Sequence, residues 1–409
     1  MMESLRTKTW FEVTGLRFEA NPDPDSDLKP SAPEAKRFSN PAQRALRVAM
    51  AGGGTGGHLF PGVAVAQEFM KRNPNSRIVF ISTGNQLERA VLGRAGFELA
   101  CIRAEGMKGR GTWRQLRAFF KLPAAVLASL RILRRLRPDL ILGLGSYSAG
   151  PAVLGAKLLG IPIVLHEQNI FPGITNKTVA RFAKRICVSF AETSAYFKAD
   201  KVRLTGNPVR QEILDLIKVP EQTRQTFTVL VVGGSQGAHR LNQAVVEALE
   251  SLQHRDRLVF VHQTGAADES TVQNAYRQQG LPATVRSFFE DMGRQYQQAD
   301  LIVCRAGATT VAEITAIGKP AIFIPYPYAA DDHQRYNAKA LADAGAAEMI
   351  LEKDLTAALL ADRINYYAAN RGELATMARH AVEFGKPAAA RAIVDDCYEL
   401  IESAKRGKD

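Results

Sequence analysis

A histidine closes a run of glycines at 51–58, Ala-Gly-Gly-Gly-Thr-Gly-Gly-His, between a short apolar segment and a helical pattern. A glycine turn joining strand to helix aims free backbone N–H groups and the positive end of the helix at an anion such as phosphate. His58 stands where that positive end favours its neutral form, so it is a candidate general base, a donor to phosphate, or a cap of the turn. A second turn of this kind, Val-Val-Gly-Gly-Ser-Gln-Gly-Ala at 231–238, carries Ser235. A third at 143–151 carries Gly145, Tyr147 and Gly150. In Cys-Arg-Ala-Gly-Ala-Thr-Thr-Val-Ala-Glu at 304–313, the N–H groups of Ala308, Thr309 and Thr310 suit a diphosphate. Glu313, one turn further on, suits a sugar diol, because a carboxylate accepts two hydrogen bonds; a glutamate favoured by the helix dipole is the plainer reading. Two more polar clusters stand out: His166-Glu167-Gln168-Asn169 at a strand end, and Asp331-Asp332-His333-Gln334-Arg335-Tyr336-Asn337 at a helix start.

Other chemistries fit less well. Gly52, Gly54 and Gly57 satisfy the dinucleotide spacing, but that reading wants an acid about 20 residues on, where Ser82-Thr83-Gly84 stands. The Asp-x-Asp spacing at Asp23, Asp25 and Asp27 falls in the amino-terminal stretch, so no metal is expected, and no cofactor. Four scattered cysteines fit no metal spacing and suit a reduced setting.

These turns need elements to position them. At 409 residues, two domains are the natural prior. Strands are expected at 46–50, 77–82, 139–144, 161–166 and 185–189, then again at 227–232, 257–262, 300–304 and 320–324, with helical patterns between. Such alternation predicts α/β halves with parallel sheets covered on both faces and ligands at the carboxyl ends of the strands. Gly-Asn-Pro-Val-Arg at 206–210 reads as the hinge, since the Asn-Pro step discourages helix. The expected division is a disordered extension at 1–45, a first domain at 46–208, a second at 209–385 and a closing helical segment at 386–409. No strand follows that last segment, which is a candidate to pack back on the first domain.

The net charge of +12 allows anionic membranes or phosphorylated molecules as partners, and no nucleic-acid motif accompanies it. Cations concentrate at 103–137, where Arg114, Arg117 and Lys121 interleave with Trp113, Leu116, Phe119 and Phe120. Two readings fit: a patch lying in a membrane interface, or a core helix with a solvated cationic face. No uncharged apolar stretch is long enough to span a bilayer.

Seven motifs in order resemble one family: Gly-Gly-Thr-Gly-Gly-His, Gly-Ser-Tyr-Ser-Ala-Gly-Pro, His-Glu-Gln-Asn, Gly-Asn-Pro-Val-Arg, Gly-Gly-Ser-Gln-Gly-Ala, Arg-Ala-Gly-Ala-x-Thr-x-x-Glu and Asp-Asp-His-Gln-x-x-Asn-Ala. From residue 46 onward the chain is similar to the MurG family of peptidoglycan N-acetylglucosaminyltransferases, in glycosyltransferase family 28. The resemblance implies the GT-B fold, two Rossmann-like domains facing across a cleft. It implies inverting, metal-independent transfer of GlcNAc from UDP-GlcNAc to the C4 hydroxyl of MurNAc in lipid I, giving lipid II. It places Thr55, Gly56, Gly57, Asn169, Arg210, Ser235, Phe289, Ala308, Thr309, Thr310, Glu313 and Gln334 around UDP-GlcNAc, with Phe289 meeting the uracil through its backbone. Gly54, Gly145, Tyr147 and Gly150 fall on the acceptor side. His58 is the first choice for the base, with His166 or Glu167 second. The resemblance favours the membrane reading of 103–137 and a peripheral location on the cytoplasmic face of the inner membrane, beside cell-wall synthesis proteins. The alternatives are another GT-B UDP-sugar enzyme, such as a UDP-GlcNAc 2-epimerase, or a non-catalytic nucleotide-sugar-binding scaffold.

Overall fold

The expected apolar runs become strands, and the central ones are buried on both faces. A computed structural model describes residues 44–104, 112–218, 225–234 and 237–406, the side chains of 112–121, 218 and 404–406 excepted. The extension at 1–45 therefore lies outside the described residues apart from its last two positions. β1 (Arg47–Ala51), β2 (Arg77–Ser82), β3 (Glu98–Cys101), β4 (Leu140–Gly143), β5 (Ile163–Glu167), β6 (Arg185–Val188) and β7 (Val202–Leu204) form one sheet in the order β3-β2-β1-β4-β5-β6-β7. β8 (Phe227–Val232), β9 (Leu258–Gln263), β10 (Ala283–Arg286), β11 (Leu301–Cys304), β12 (Ala321–Phe323) and β13 (Glu348–Met349) form a second, ordered β10-β9-β8-β11-β12-β13. All described pairings are parallel; Met50, for example, sits between Phe80 and Leu142 in register.

Parallel strands need helical crossovers on both faces, and the cores lie there. In the first half, Val63, Ala66 and Phe69 of the helix Gly56–Arg72 pack with Met50, Leu142 and Val164 on one face. On the other, Leu133 and Leu136 of the helix Thr112–Leu136 join Ile141 and Val153. In the second half, Leu241 and Val245 meet Val229 and Phe260, while Val311 and Ile314 meet Val232 and Phe323 on the opposite face.

The chain passes between the halves twice. The first crossing is 206–210. Gly206 has φ +87°, and a Cβ there would lie 2.3 Å from the Cβ of Lys386, on the second crossing. The two crossings thus run against each other, and only glycine permits that approach. The last helix, Ala389–Arg406, returns to the first half, where Ile393, Val394, Cys397 and Ile401 complete the core beside the helix Gly56–Arg72.

Candidate functional site

Two helices begin bare and meet. The helix Gly56–Arg72 follows Thr55, and the helix Ala308–Ile317 follows Gly307; neither start has a side-chain cap or an acid in its first turn. Val311 N–H is the first in its helix to bond back, to Gly307, which leaves Ala308, Thr309 and Thr310 without intrahelical acceptors. Thr309 Oγ1 donates to the Gly57 carbonyl at 3.2 Å, so the two positive ends confront each other across the cleft. Uncapped helix starts of this kind suit an anion.

His58 is one residue beyond Gly57. Its Nδ1 lies 3.1 Å from Gln168 Oε1, and burial pulls its pKa below the ordinary imidazole value. The Glu167 carboxylate and the hydrogen bonds to Gln168 and the Leu144 carbonyl oppose that shift, and His333 adds to it. Gly145, with φ +90°, is packed under the ring: a Cβ would stand 3.0 Å from His58 Cε1. Gly54, also in the first turn, donates its N–H to the buried Glu88 at 2.6 Å. Tyr147 is exposed and Gly150 lies in the first turn of the helix Ala149–Leu158.

The second choices for a base are occupied. Glu167 Oε1 accepts from Asn169 N at 3.1 Å, and Oε2 from Gly173 N at 3.1 Å and Asn176 Nδ2 at 2.8 Å. His166 is fully buried, its pKa pushed down to about 3 chiefly by loss of solvent. Both side chains are buried and hydrogen-bonded within the loop that follows β5.

On the other side, Arg210 and Glu313 are paired at 3.1 Å, with Tyr296 O–H donating to the second Glu313 oxygen at 3.1 Å. Burial raises the Glu313 pKa, against the pull of Arg210. Glu313 is therefore more than a cap: it is a buried carboxylate with an ordered partner. The Arg210 guanidinium lies 4.6 Å from the Phe60 ring centre. Phe289 is buried and its N–H is engaged by Gln263 Oε1 at 2.9 Å. Gln334 Oε1 accepts from Tyr326 N at 3.0 Å. Ser235 lies outside the described residues.

Asn169 joins the two halves. Asn337, from the helix His333–Asp343, donates to Asn169 Oδ1 at 3.4 Å and to the Ala306 carbonyl at 3.3 Å, and accepts from Ile170 N at 3.3 Å. Phe171 and Tyr336 add a ring contact at 4.5 Å. Sequence reasoning passed over Glu88 and Tyr296, and gave Gln168 and Asn337, both within polar clusters it singled out, no role of their own. For Glu88 the signal was present: Asn85-x-x-Glu88 is a capping box, and the same carboxylate holds the first glycine turn. For Asn337 it was the last residue of a motif already singled out.

The cationic stretch divides in two. In its second half Leu130, Leu133 and Leu136 are buried while Arg131, Arg134 and Arg135 are exposed, which matches the core-helix reading. Residues 105–111 lie outside the described residues. The backbone at 112–121 is helical and carries Trp113, Arg114, Leu116, Arg117, Phe119, Phe120 and Lys121. No helix among the described residues is long and apolar enough to cross a membrane.

Comparison with known proteins agrees with this architecture. Residues 48–188 match the glycosyltransferase family 28 N-terminal domain, and residues 228–393 the family 28 C-terminal domain. A UDP-N-acetylglucosamine--N-acetylmuramyl-(pentapeptide) pyrophosphoryl-undecaprenol N-acetylglucosamine transferase of Syntrophus aciditrophicus is 47% identical over 357 residues, 87% of this chain and 99% of that protein. The crystal structure of Acinetobacter baumannii MurG superposes with a TM-score of 0.69 at 34% identity, covering 88% of this chain and 99% of that one. A UDP-GlcNAc 2-epimerase from Neisseria meningitidis, bound to UDP-GlcNAc, superposes with a TM-score of 0.62 over 87% of this chain and 99% of its own, but at 14% identity that likeness shows shared fold alone.

Proposed function

We infer the function from one premise: this chain belongs to glycosyltransferase family 28, with the GT-B fold. It is an N-acetylglucosaminyltransferase of peptidoglycan synthesis, moving GlcNAc from UDP-GlcNAc to lipid I. The observation that carries the site assignment is the meeting of two bare helix starts at Gly57 and Thr309, with His58 beside it.

In the mechanism this supports, the C4 hydroxyl of MurNAc attacks the anomeric carbon of GlcNAc from the face opposite UDP. The new C–O bond forms as the bond to the diphosphate breaks, its electron pair leaving on UDP. His58 takes the hydroxyl proton. The N–H groups of Ala308, Thr309 and Thr310 receive the charge that grows on the diphosphate, with the Ser235 turn as second donor. Each such donor is worth about 2–4 kcal/mol if it acts like an oxyanion-hole donor. Thr55, Gly56 and Gly57 border the sugar and diphosphate, with Asn169 and Gln334 on the sugar. Arg210, Phe289 and Glu313 hold the nucleoside; a ribose diol would share Glu313 with Arg210. Gly54, Gly145, Tyr147 and Gly150 line the acceptor side. The division of labour is acceptor and membrane at 46–208 and donor at 209–385.

The helix at 112–121, with its aromatic and cationic residues, supports peripheral attachment to an anionic cytoplasmic membrane surface. Cosedimentation with anionic vesicles, lost in Trp113→Ser/Phe120→Ser, tests this; binding unchanged by that variant refutes it. The activity is tested by transfer of radiolabelled GlcNAc to a short-chain lipid I analogue in EDTA. A β1→4-linked product is expected. Release of free ManNAc without transfer would point to an epimerase, and UDP-GlcNAc binding without any product to a scaffold.

A further inference from the structure

We propose that Gln168 is a positioning residue: its side-chain amide places the imidazole proton of His58 on Nδ1 and leaves Nε2 unprotonated for the acceptor hydroxyl. This rests on His58 being the base. The argument turns on two backbone carbonyls, which can only accept.

Gln168 Nε2 donates to the Leu144 carbonyl at 2.7 Å. A carbonyl can only accept, so the amide nitrogen is the end that faces Leu144. Oε1 must then face His58 Nδ1, at 3.1 Å. An amide oxygen accepts, so Nδ1 carries the proton, and in a neutral imidazole the lone pair falls to Nε2. The second N–H of the amide points at His166 Nδ1, 3.1 Å away. His166 therefore accepts at Nδ1 and donates through Nε2 to the Gly206 carbonyl, at 3.4 Å. The chain runs Gly206, His166, Gln168, His58, pinned by carbonyls at the hinge and at Leu144. Burial keeps His166 neutral, with a pKa of about 3, so the chain does not reverse near neutral pH.

The titratable groups whose charges reach His58 are Glu167 and His166 from the end of β5, and His333 from the helix His333–Asp343 across the cleft. Glu167 is committed to Asn169, Gly173 and Asn176, so it supplies charge without competing for the ring. Gln168, itself buried, is the one side chain among the described residues with a hydrogen bond to both histidines.

The test uses the full chain with saturating UDP-GlcNAc and lipid I analogue, read as kcat against pH. In Gln168→Glu, of the same shape, a carboxylate faces Nδ1. The acidic limb of the profile should move up by roughly 1 unit or more. In Gln168→Leu, kcat should fall about 10- to 100-fold while the KM for UDP-GlcNAc changes little. Imidazole nitrogen NMR should show the Nδ1–H form of His58 in the parent and a smaller share of it in Gln168→Leu, where the Leu144 carbonyl is the acceptor left to the ring. If His58→Ala abolishes transfer but Gln168→Glu leaves the acidic limb in place, the positioning role is wrong. If His58→Ala keeps near-normal turnover, the base reading itself fails. Should Gln168→Leu not fold, Gln168→Glu carries the test alone.

Discussion

Gly145 has no side chain, and the space this leaves is taken by the His58 ring. Gly145→Ala should therefore push the imidazole out of line and strain a backbone at φ +90°. The expected result is a stability loss of about 1–3 kcal/mol and a fall in kcat of at least about tenfold, measured by urea titration and by transfer at saturating substrates. Full activity in a folded Gly145→Ala would show that the ring does not need this seat. Residues of this kind were legible in part. The glycines, His58 and Glu313 announced themselves by type and spacing. Gln168 did not, because its role comes from which carbonyl its amide meets, and Leu144 is 24 positions away in sequence. Tyr296 reads as an ordinary core aromatic until its hydroxyl is seen against Glu313.

The helix His333–Asp343 acts as a bracket between the halves, through one fully buried amide. Asn337 holds the Asn169 loop of the first half against Ala306, just before the bare helix start of the second. Asn337→Ala should leave UDP binding to the full chain within about threefold while transfer falls more than about tenfold, because the Asn169 loop loses its register against the second half. Calorimetric titration with UDP and initial rates separate the two effects; equal losses in both would make Asn337 a general structural residue. At this scale the central strands were readable from their continuous apolar runs. β3, β7, β10 and β13 were missed, and they are the four sheet edges. Edge strands are short and half wet, as in β3 and β7, so the pattern that betrays a buried parallel strand is absent from them. The cationic stretch kept two readings open for a similar reason: an amphipathic helix looks alike whether its apolar face meets a core or a lipid surface.

The whole molecule carries buried histidines in both halves, and this sets its response to acid. His166 and His262 both titrate at about 3, each driven down chiefly by burial, against an ordinary value of 6.5. Their folded pKa lies below the unfolded one, so between pH 6.5 and 3 the unfolded chain binds protons that the native fold refuses. Stability is full above that window and falls as pH drops through it, by about 2 kcal/mol per histidine at pH 5. Urea midpoints at pH 7 and pH 5 check this. His262→Gln should flatten the difference by about one such share, and an unchanged difference would contradict the assignment.

The return of the final helix also bears on synthesis. The second half is a continuous segment inserted within the first, whose core is completed only by Ile393, Val394, Cys397 and Ile401. On the ribosome, where chains emerge from the amino end and domains fold as units, the first sheet is made first but finished last. Until the segment Ala389–Arg406 has emerged, the face of the helix Gly56–Arg72 against which it packs has nothing to cover it. The second half has its own core and is free to close in the meantime, as a module tethered to an unfinished one.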